Sequence, residues 1–237
     1  MFDELRVGGL TPLTTIDYPE HLSCVIYCQG CAWRCLYCHN PELIPVKAEQ
    51  GFDNKELEFF LKRRKGLLDA VVFSGGEPLL QKGLLPAMQT VKSMGFKVGL
   101  HTGGSSISRF KQVLEIVDWV GFDVKDLPEH ADRIIQVNNA GNTNWQSLRL
   151  LLASGVDYQC RTTVHWDLIS PERVLVLAKQ LVSEGVNNYN LQIARTRNTL
   201  DKSLIDDSCS YSMISKDIRL ALSAELEQMF DQFEWVE

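Results

Sequence analysis

A chain of 237 residues with 45% hydrophobic and 23% charged residues has the balance of an ordinary folded domain, and no low-complexity tract interrupts it. The formal net charge of -6 argues against a surface built for phosphate backbones, which are gripped by clustered Lys and Arg, so no nucleic-acid partner is expected. The start, Met1-Phe2-Asp3-Glu4-Leu5-Arg6, is not a secretion signal, and no run of about eighteen apolar residues occurs, so a soluble cytoplasmic protein without membrane contact is expected.

In chain order, apolar runs and breakers alternate between two periods. A strand is expected over 22–28, then a helix over 54–65 that ends in Lys62-Arg63-Arg64-Lys65, cations suited to the negative end of the helix dipole. Strands over 70–73, 97–101 and 117–124 follow, separated by helices over 79–94 and 107–116. A helix over 145–153, a strand over 158–164, a helix over 171–184 and a strand over 189–193 complete the alternation, and a last helix runs from about 215 to 233.

Strands joined by helices imply an α/β fold with a parallel sheet and outer helices, because parallel neighbours need a long crossover. No linker divides the chain, so one domain over 1–237 is expected. Ligands in such folds gather at the carboxyl ends of the strands.

Chemistry concentrates just past the first expected strand. Of seven cysteines, five fall between positions 24 and 38, which in a reducing compartment points to metal rather than to disulfides. Cys31, Cys35 and Cys38 form C-x3-C-x2-C, enough thiolates to hold three corners of a cubane iron–sulfur cluster and leave one iron open. The four thiols Cys28, Cys31, Cys35 and Cys38 also make two C-x2-C pairs, the pattern of a structural zinc site, although the spacer between the pairs is short for one. Alternation puts Cys24 and Cys28 on one strand face as core thiols. Cys160 and Cys209 stand alone, and Cys160 reads as a small buried hydrophobe.

With Tyr37 between the second and third ligands, the loop resembles the C-x3-C-x-aromatic-C signature of the radical S-adenosylmethionine (SAM) superfamily. Ser74-Gly75-Gly76-Glu77-Pro78, at the end of the second expected strand, resembles that superfamily's Gly-Gly-Glu-Pro segment. The flanks Gln29-Gly30-Cys31 and Cys38-His39-Asn40-Pro41, with Phe122-Asp123-Val124-Lys125, are similar to the activating enzymes of glycyl-radical enzymes, particularly the activators of anaerobic ribonucleoside-triphosphate reductase.

The resemblance implies a partial (β/α)6 TIM-like barrel, a [4Fe-4S] cluster held by Cys31, Cys35 and Cys38, and reductive cleavage of SAM to a 5'-deoxyadenosyl radical. That radical would take hydrogen from a glycine of a partner enzyme, so no catalytic side chain is named. Cofactor contacts implied by position are Gly75, Gly76 and Glu77 for the methionyl ammonium, Lys125 and Arg161 for the carboxylate, and Asp123 for the ribose. Thr102 is a further contact, and the backbone from Tyr37 to His39 and Gln192 would meet adenine. A flavodoxin- or ferredoxin-type protein would donate the electron.

The chain departs from the family's pattern in three places: His101-Thr102-Gly103-Gly104, Ile16-Asp17-Tyr18-Pro19-Glu20, and Leu191-Gln192-Ile193-Ala194. Asp17 is a candidate to face the partner's glycine. Two other functions fit the same residues: a radical SAM enzyme acting on a small molecule in cofactor or modified-base synthesis, and a zinc-stabilised interaction module.

Overall fold

The computed structural model describes residues 2–47, 52–205 and 213–236; Cys209 lies outside them. It divides into two compact units, the first made of Met1–Ala32, Glu42–Gly121 and Ser154–Asp157, the second of Trp33–Pro41, Phe122–Ala153 and Tyr158–Glu237.

In the first unit, β1 (Val7–Thr14) runs antiparallel to β2 (Ser23–Cys28). Parallel pairings then join β2 to β3 (Ala70–Gly75) and β3 to β4 (Lys97–Thr102). The helices are α1 (Asn54–Arg64), α2 (Leu84–Ser93) and α3 (Ile107–Val113). Asp53 caps α1 by accepting the Lys55 N–H at 2.8 Å, and its basic last turn is solvent-facing, with Lys62 paired to Glu58 and Arg63 over the Phe59 ring.

The expected helix over 79–94 starts late. Glu77 caps a short 3-10 turn at Pro78–Leu80, and α2 begins only after Gly83, where a Cβ would lie 2.5 Å from the Glu4 carbonyl carbon. The glycine therefore keeps the amino-terminal segment against the start of α2.

β5 (Trp119–Asp123) has its first three residues in the first unit and Phe122 and Asp123 in the second. The second unit also holds α4 (Pro128–Ile135), α5 (Ala140–Ser154) up to Ala153, most of β6 (Asp157–Val164), α6 (Pro171–Glu184), β7 (Asn188–Ile193), α7 (Lys216–Met229) and β8 (Gln232–Val236). β6 pairs parallel with β7, and β7 with β8. Helix α6 shows why the pattern was readable: Ser170 caps it, Pro171 opens it, and Val174, Leu177, Ala178 and Leu181 bury one stripe.

Alternation gives β6–β8 two unlike faces. Cys160, Val164, Tyr189, Leu191 and Ile193 are buried on one, where Tyr189 packs at a tilt against Phe230 with 4.7 Å between ring centres. The other carries Gln159, Arg161 and Thr163, then Asn188, Asn190 and Gln192, then Gln232 and Glu234. The mostly parallel strands with intervening helices bear out the α/β class, and among the described residues β1 and β8 join the six expected strands.

Backbone crowding around Gly76 gives a test. A Cβ there would overlap the Gly30 carbonyl oxygen and lie 2.9 Å from that of Leu43, whereas at Gly9 the nearest atom is a Tyr27 ring carbon 3.7 Å away. Gly76→Ala should cost about 3 kcal/mol in urea unfolding, the upper end for forced overpacking, and Gly9→Ala should stay within about 0.5 kcal/mol of wild type.

Candidate active site

The cysteine loop is anchored by its backbone. In the first unit, Gly30 N–H donates to the Leu43 carbonyl (2.7 Å) and Cys31 N–H to that of Ile44 (3.0 Å). In the second, Arg34 and Leu36 donate to the carbonyls of Ile135 and Ile134, and Cys38 N–H closes a turn onto Cys35 at 2.9 Å. The segment after β7 binds the same loop: Leu200 N–H donates to the Cys38 carbonyl, Asp201 N–H to that of Leu36, and Asn198 Nδ2 to that of His39.

Cys31, Cys35 and Cys38 are partly exposed, while Cys24, Cys28 and Cys160 are buried. Burial pushes the Cys24 thiol up to about 12 and those of Cys28 and Cys160 further; Cys35 rises to about 11, burial outweighing the nearby Lys125 ammonium. Among the described residues, no group of three or more His, Cys, Asp and Glu side chains is gathered for a single metal ion.

Two buried atoms on this loop, Tyr37 Oη and His39 Nδ1, have no hydrogen-bond partner among the described residues. Buried polar atoms are almost always satisfied, so both suit a bound group. Burial first, and Arg195 second, lower the His39 pKa, which leaves the imidazole neutral near pH 7. A cofactor fits this loop on its donor set and on these orphaned atoms.

In the first unit, the Gly-Gly-Glu segment serves the chain's own backbone. Gly76 N–H donates to the Cys28 carbonyl at 2.9 Å and Glu77 N–H to that of Gly30 at 3.0 Å, so the end of β3 is tied to the start of the cysteine loop. Protein backbone crowds both glycines: an added Cβ would meet Cys28 backbone at Gly75 and Gly30 backbone at Gly76. Glu77 is 2% exposed, and its Oε1 accepts from Leu79 N–H (3.0 Å) and Thr102 Oγ1 (2.7 Å), while Oε2 accepts from Gly103 N–H (3.2 Å). Thr102 Oγ1 also accepts from Gly104 N–H at 2.9 Å, so this hydroxyl positions Glu77.

Two of the segments that depart from the family's pattern meet here. His101 Nε2 donates to the Asp17 carbonyl at 2.8 Å, and Asp17 Oδ2 accepts from Thr14 Oγ1 at 2.6 Å. Tyr18 packs its ring on Trp119 with 5.2 Å between centres, in a small core with Val25, Ala70 and Val72.

In the second unit, Asp123 lies between two cations. Its Oδ1 accepts from Arg161 Nε at 3.0 Å and its Oδ2 from Lys125 Nζ at 3.2 Å. Burial alone would lower the Lys125 pKa, but Asp123, followed by Tyr37 and Cys35, more than reverses this and holds it above the usual lysine range. The same sheet face continues with Asn190, opposite Arg161 and bonded to Glu234 at 2.9 Å, and with Gln192, opposite Thr163.

Sequence reasoning missed Asn144, a fully buried residue of α5. Its Nδ2 donates to the Asp123 carbonyl at 2.9 Å and its Oδ1 accepts from Lys125 N–H at 3.4 Å, so one amide clamps the strand end that carries both charges. It also missed Asp126, buried beside Arg173 (3.4 Å). Neither lies in a motif, and no spacing rule singles them out.

The Radical SAM superfamily model matches residues 25–181. A protein of Methanocaldococcus jannaschii, provisionally named a glycyl-radical enzyme activating enzyme, is 30% identical over 180 residues, 73% of this chain and 74% of that protein. The pyruvate formate-lyase-activating enzyme of Clostridium pasteurianum is 30% identical over 135 residues, 55% of this chain, and the match spans only 56% of that enzyme. Among solved structures, SuiB of Streptococcus suis bound to S-adenosylmethionine has a TM-score of 0.67 at 14% identity, covering 90% of this chain and 49% of SuiB, a likeness of fold. The structural neighbours are partial TIM barrels, in line with the expected class, and no helix among the described residues is long and apolar enough to cross a membrane. The family model covers most of the sequence and the archaeal relative matches most of both chains, so this chain belongs to the radical SAM superfamily, an enzyme family that implies an iron–sulfur cluster and SAM.

Proposed function

We propose that this chain activates a glycyl-radical enzyme, with a [4Fe-4S] cluster on Cys31, Cys35 and Cys38 and SAM at the iron left open. The observation that carries this is the division among the thiols of the described residues: three partly exposed on the loop that holds the orphaned Tyr37 and His39 atoms, three buried. The names carried by the archaeal and clostridial relatives support an activating role.

When bound, the cluster and SAM supply one-electron cleavage chemistry that ends in removal of a hydrogen atom from a glycine of the partner. The chain's own residues place and charge the site. Glu77, fixed by Leu79, Thr102 and Gly103, receives the methionyl ammonium beside Gly75 and Gly76. Lys125 and Arg161 receive the carboxylate: with Asp123 between them the trio keeps one positive charge in excess, which a ligand carboxylate offsets. Asp123 serves the ribose hydroxyls, and Gln192 with the backbone from Tyr37 to His39 meets the adenine. Hydrogen-atom removal needs no protein acid or base.

The flanks Gln29-Gly30-Cys31 and Cys38-His39-Asn40-Pro41 resemble activators of anaerobic ribonucleoside-triphosphate reductase, and that reductase is the partner proposed. Protein reconstituted anaerobically with iron and sulfide, then incubated with SAM, a reductant and the purified reductase, should yield a glycyl doublet in electron paramagnetic resonance. A doublet with pyruvate formate-lyase alone would reassign the partner. SAM cleavage with neither protein activated would favour a small-molecule substrate, and colourless protein with one tight zinc would favour an interaction module.

Cys31→Ala, Cys35→Ala and Cys38→Ala should each abolish the doublet and lower bound iron, whereas Cys28→Ala should retain about four irons; loss of iron there would make the ligand set wrong. Asp123→Asn leaves two buried cations with a neutral neighbour. It should destabilise the fold by about 3 kcal/mol in urea and weaken SAM binding at least roughly tenfold by calorimetry.

A further inference from the structure

Two segments of the second unit carry a charge opposite to that of the chain. Whereas the sequence holds 30 acidic and 24 basic residues, residues 33–41 and 194–204 together contain Arg34, Arg195, Arg197 and Lys202 against the single acid Asp201. All four cations are exposed. Asp201 is turned to its own backbone, where its Oδ1 accepts from Ser203 N–H at 2.9 Å and Ser203 Oγ at 2.8 Å to cap the 3-10 turn Lys202–Leu204.

These cations stand on the cysteine loop itself and on the segment bonded to it. The carbonyls of Leu36, Cys38 and His39 accept from Asp201, Leu200 and Asn198, so the segment that carries Arg195, Arg197 and Lys202 lies along the loop that carries Arg34. A negatively charged protein drawn to this rim would arrive beside Cys35 and Cys38. A like-charged surface would instead be repelled by the rest of a chain of net charge -6, so the local reversal selects where such a partner lands.

We infer that this cationic rim is the docking surface for an acidic one-electron donor protein, which delivers its electron to the cluster through the face the rim surrounds. The inference rests on the proposal that Cys35 and Cys38 hold the cluster. The donor is oxidised by one electron for each SAM cleaved.

The test compares two reductants on the reconstituted protein: dithionite, a small molecule with no docking requirement, and a purified, reduced acidic flavodoxin. The double variant Arg197→Glu/Lys202→Glu, at two exposed positions outside the proposed cofactor contacts, should cleave SAM at the wild-type rate with dithionite. With flavodoxin at low ionic strength its rate should fall at least roughly tenfold, and the wild-type dependence on salt should largely vanish. As a control, Arg63→Glu/Lys65→Glu, on the basic end of α1, should behave as wild type with both reductants. An equal fall with dithionite, an undiminished flavodoxin rate in the rim variant, or a fall in the α1 control as large as in the rim variant would each overturn the inference. Wild-type protein with a full complement of iron that fails to cleave SAM even with dithionite would remove the cluster proposal, and this inference with it.

Discussion

Two cations with about a tenth of their side chains exposed to solvent, Lys125 and Arg161 at 11% and 10%, share one carboxylate at the end of β5. Neither could be buried alone, because a desolvated charge without a partner costs several kcal/mol, and Asp123 offsets only one of the two. This strand end therefore keeps a positive charge in reserve, and Asp123 helps hold the Lys125 pKa above the usual lysine range. The backbone beneath these charges is fixed by the buried amide of Asn144 and by Val124 N–H, which donates to the Arg161 carbonyl at 2.8 Å. Charge and rigidity meet at one strand end, which suits a ligand with a carboxylate at a set position.

The first unit holds its charged group by different means. Glu77 is buried among two backbone N–H groups and one hydroxyl, so its carboxylate is positioned by neutral donors of its own unit. Thr102 contributes by holding the carboxylate, a role that matching a motif position does not distinguish from direct contact. The glycines before Glu77 matter for the same reason: they let the end of β3 lie against the backbone of Cys28 and Gly30, which sets where the cysteine loop begins.

Much of this was legible because short-range signals agreed. Ser170, Pro171 and the apolar stripe of α6 all point to one helix, and β2, β3, β4, β6 and β7 are apolar runs bounded by breakers. β1 was not legible, since Gly8, Gly9 and Pro12 interrupt any strand pattern, and the strand pairs antiparallel with β2, with register shifts between Val7 and Gly9 and between Thr11 and Thr14. β8 was hidden because Phe230 and Phe233 continue the spacing of α7; the chain leaves the helix at Phe230, and Phe233 and Trp235 then alternate as a strand. Asn144 was invisible for another reason: its partners are backbone atoms of a different element, and nothing in its neighbours reports them.

The central claim is that one iron of the cluster is open to SAM, and the spectrum of the reduced cluster reads this directly. Reduced protein with about four irons should give an electron paramagnetic resonance signal whose g-values shift when SAM is added, since ligation of the open iron changes the cluster's electronic structure. An unchanged signal from an intact cluster at saturating SAM would contradict it.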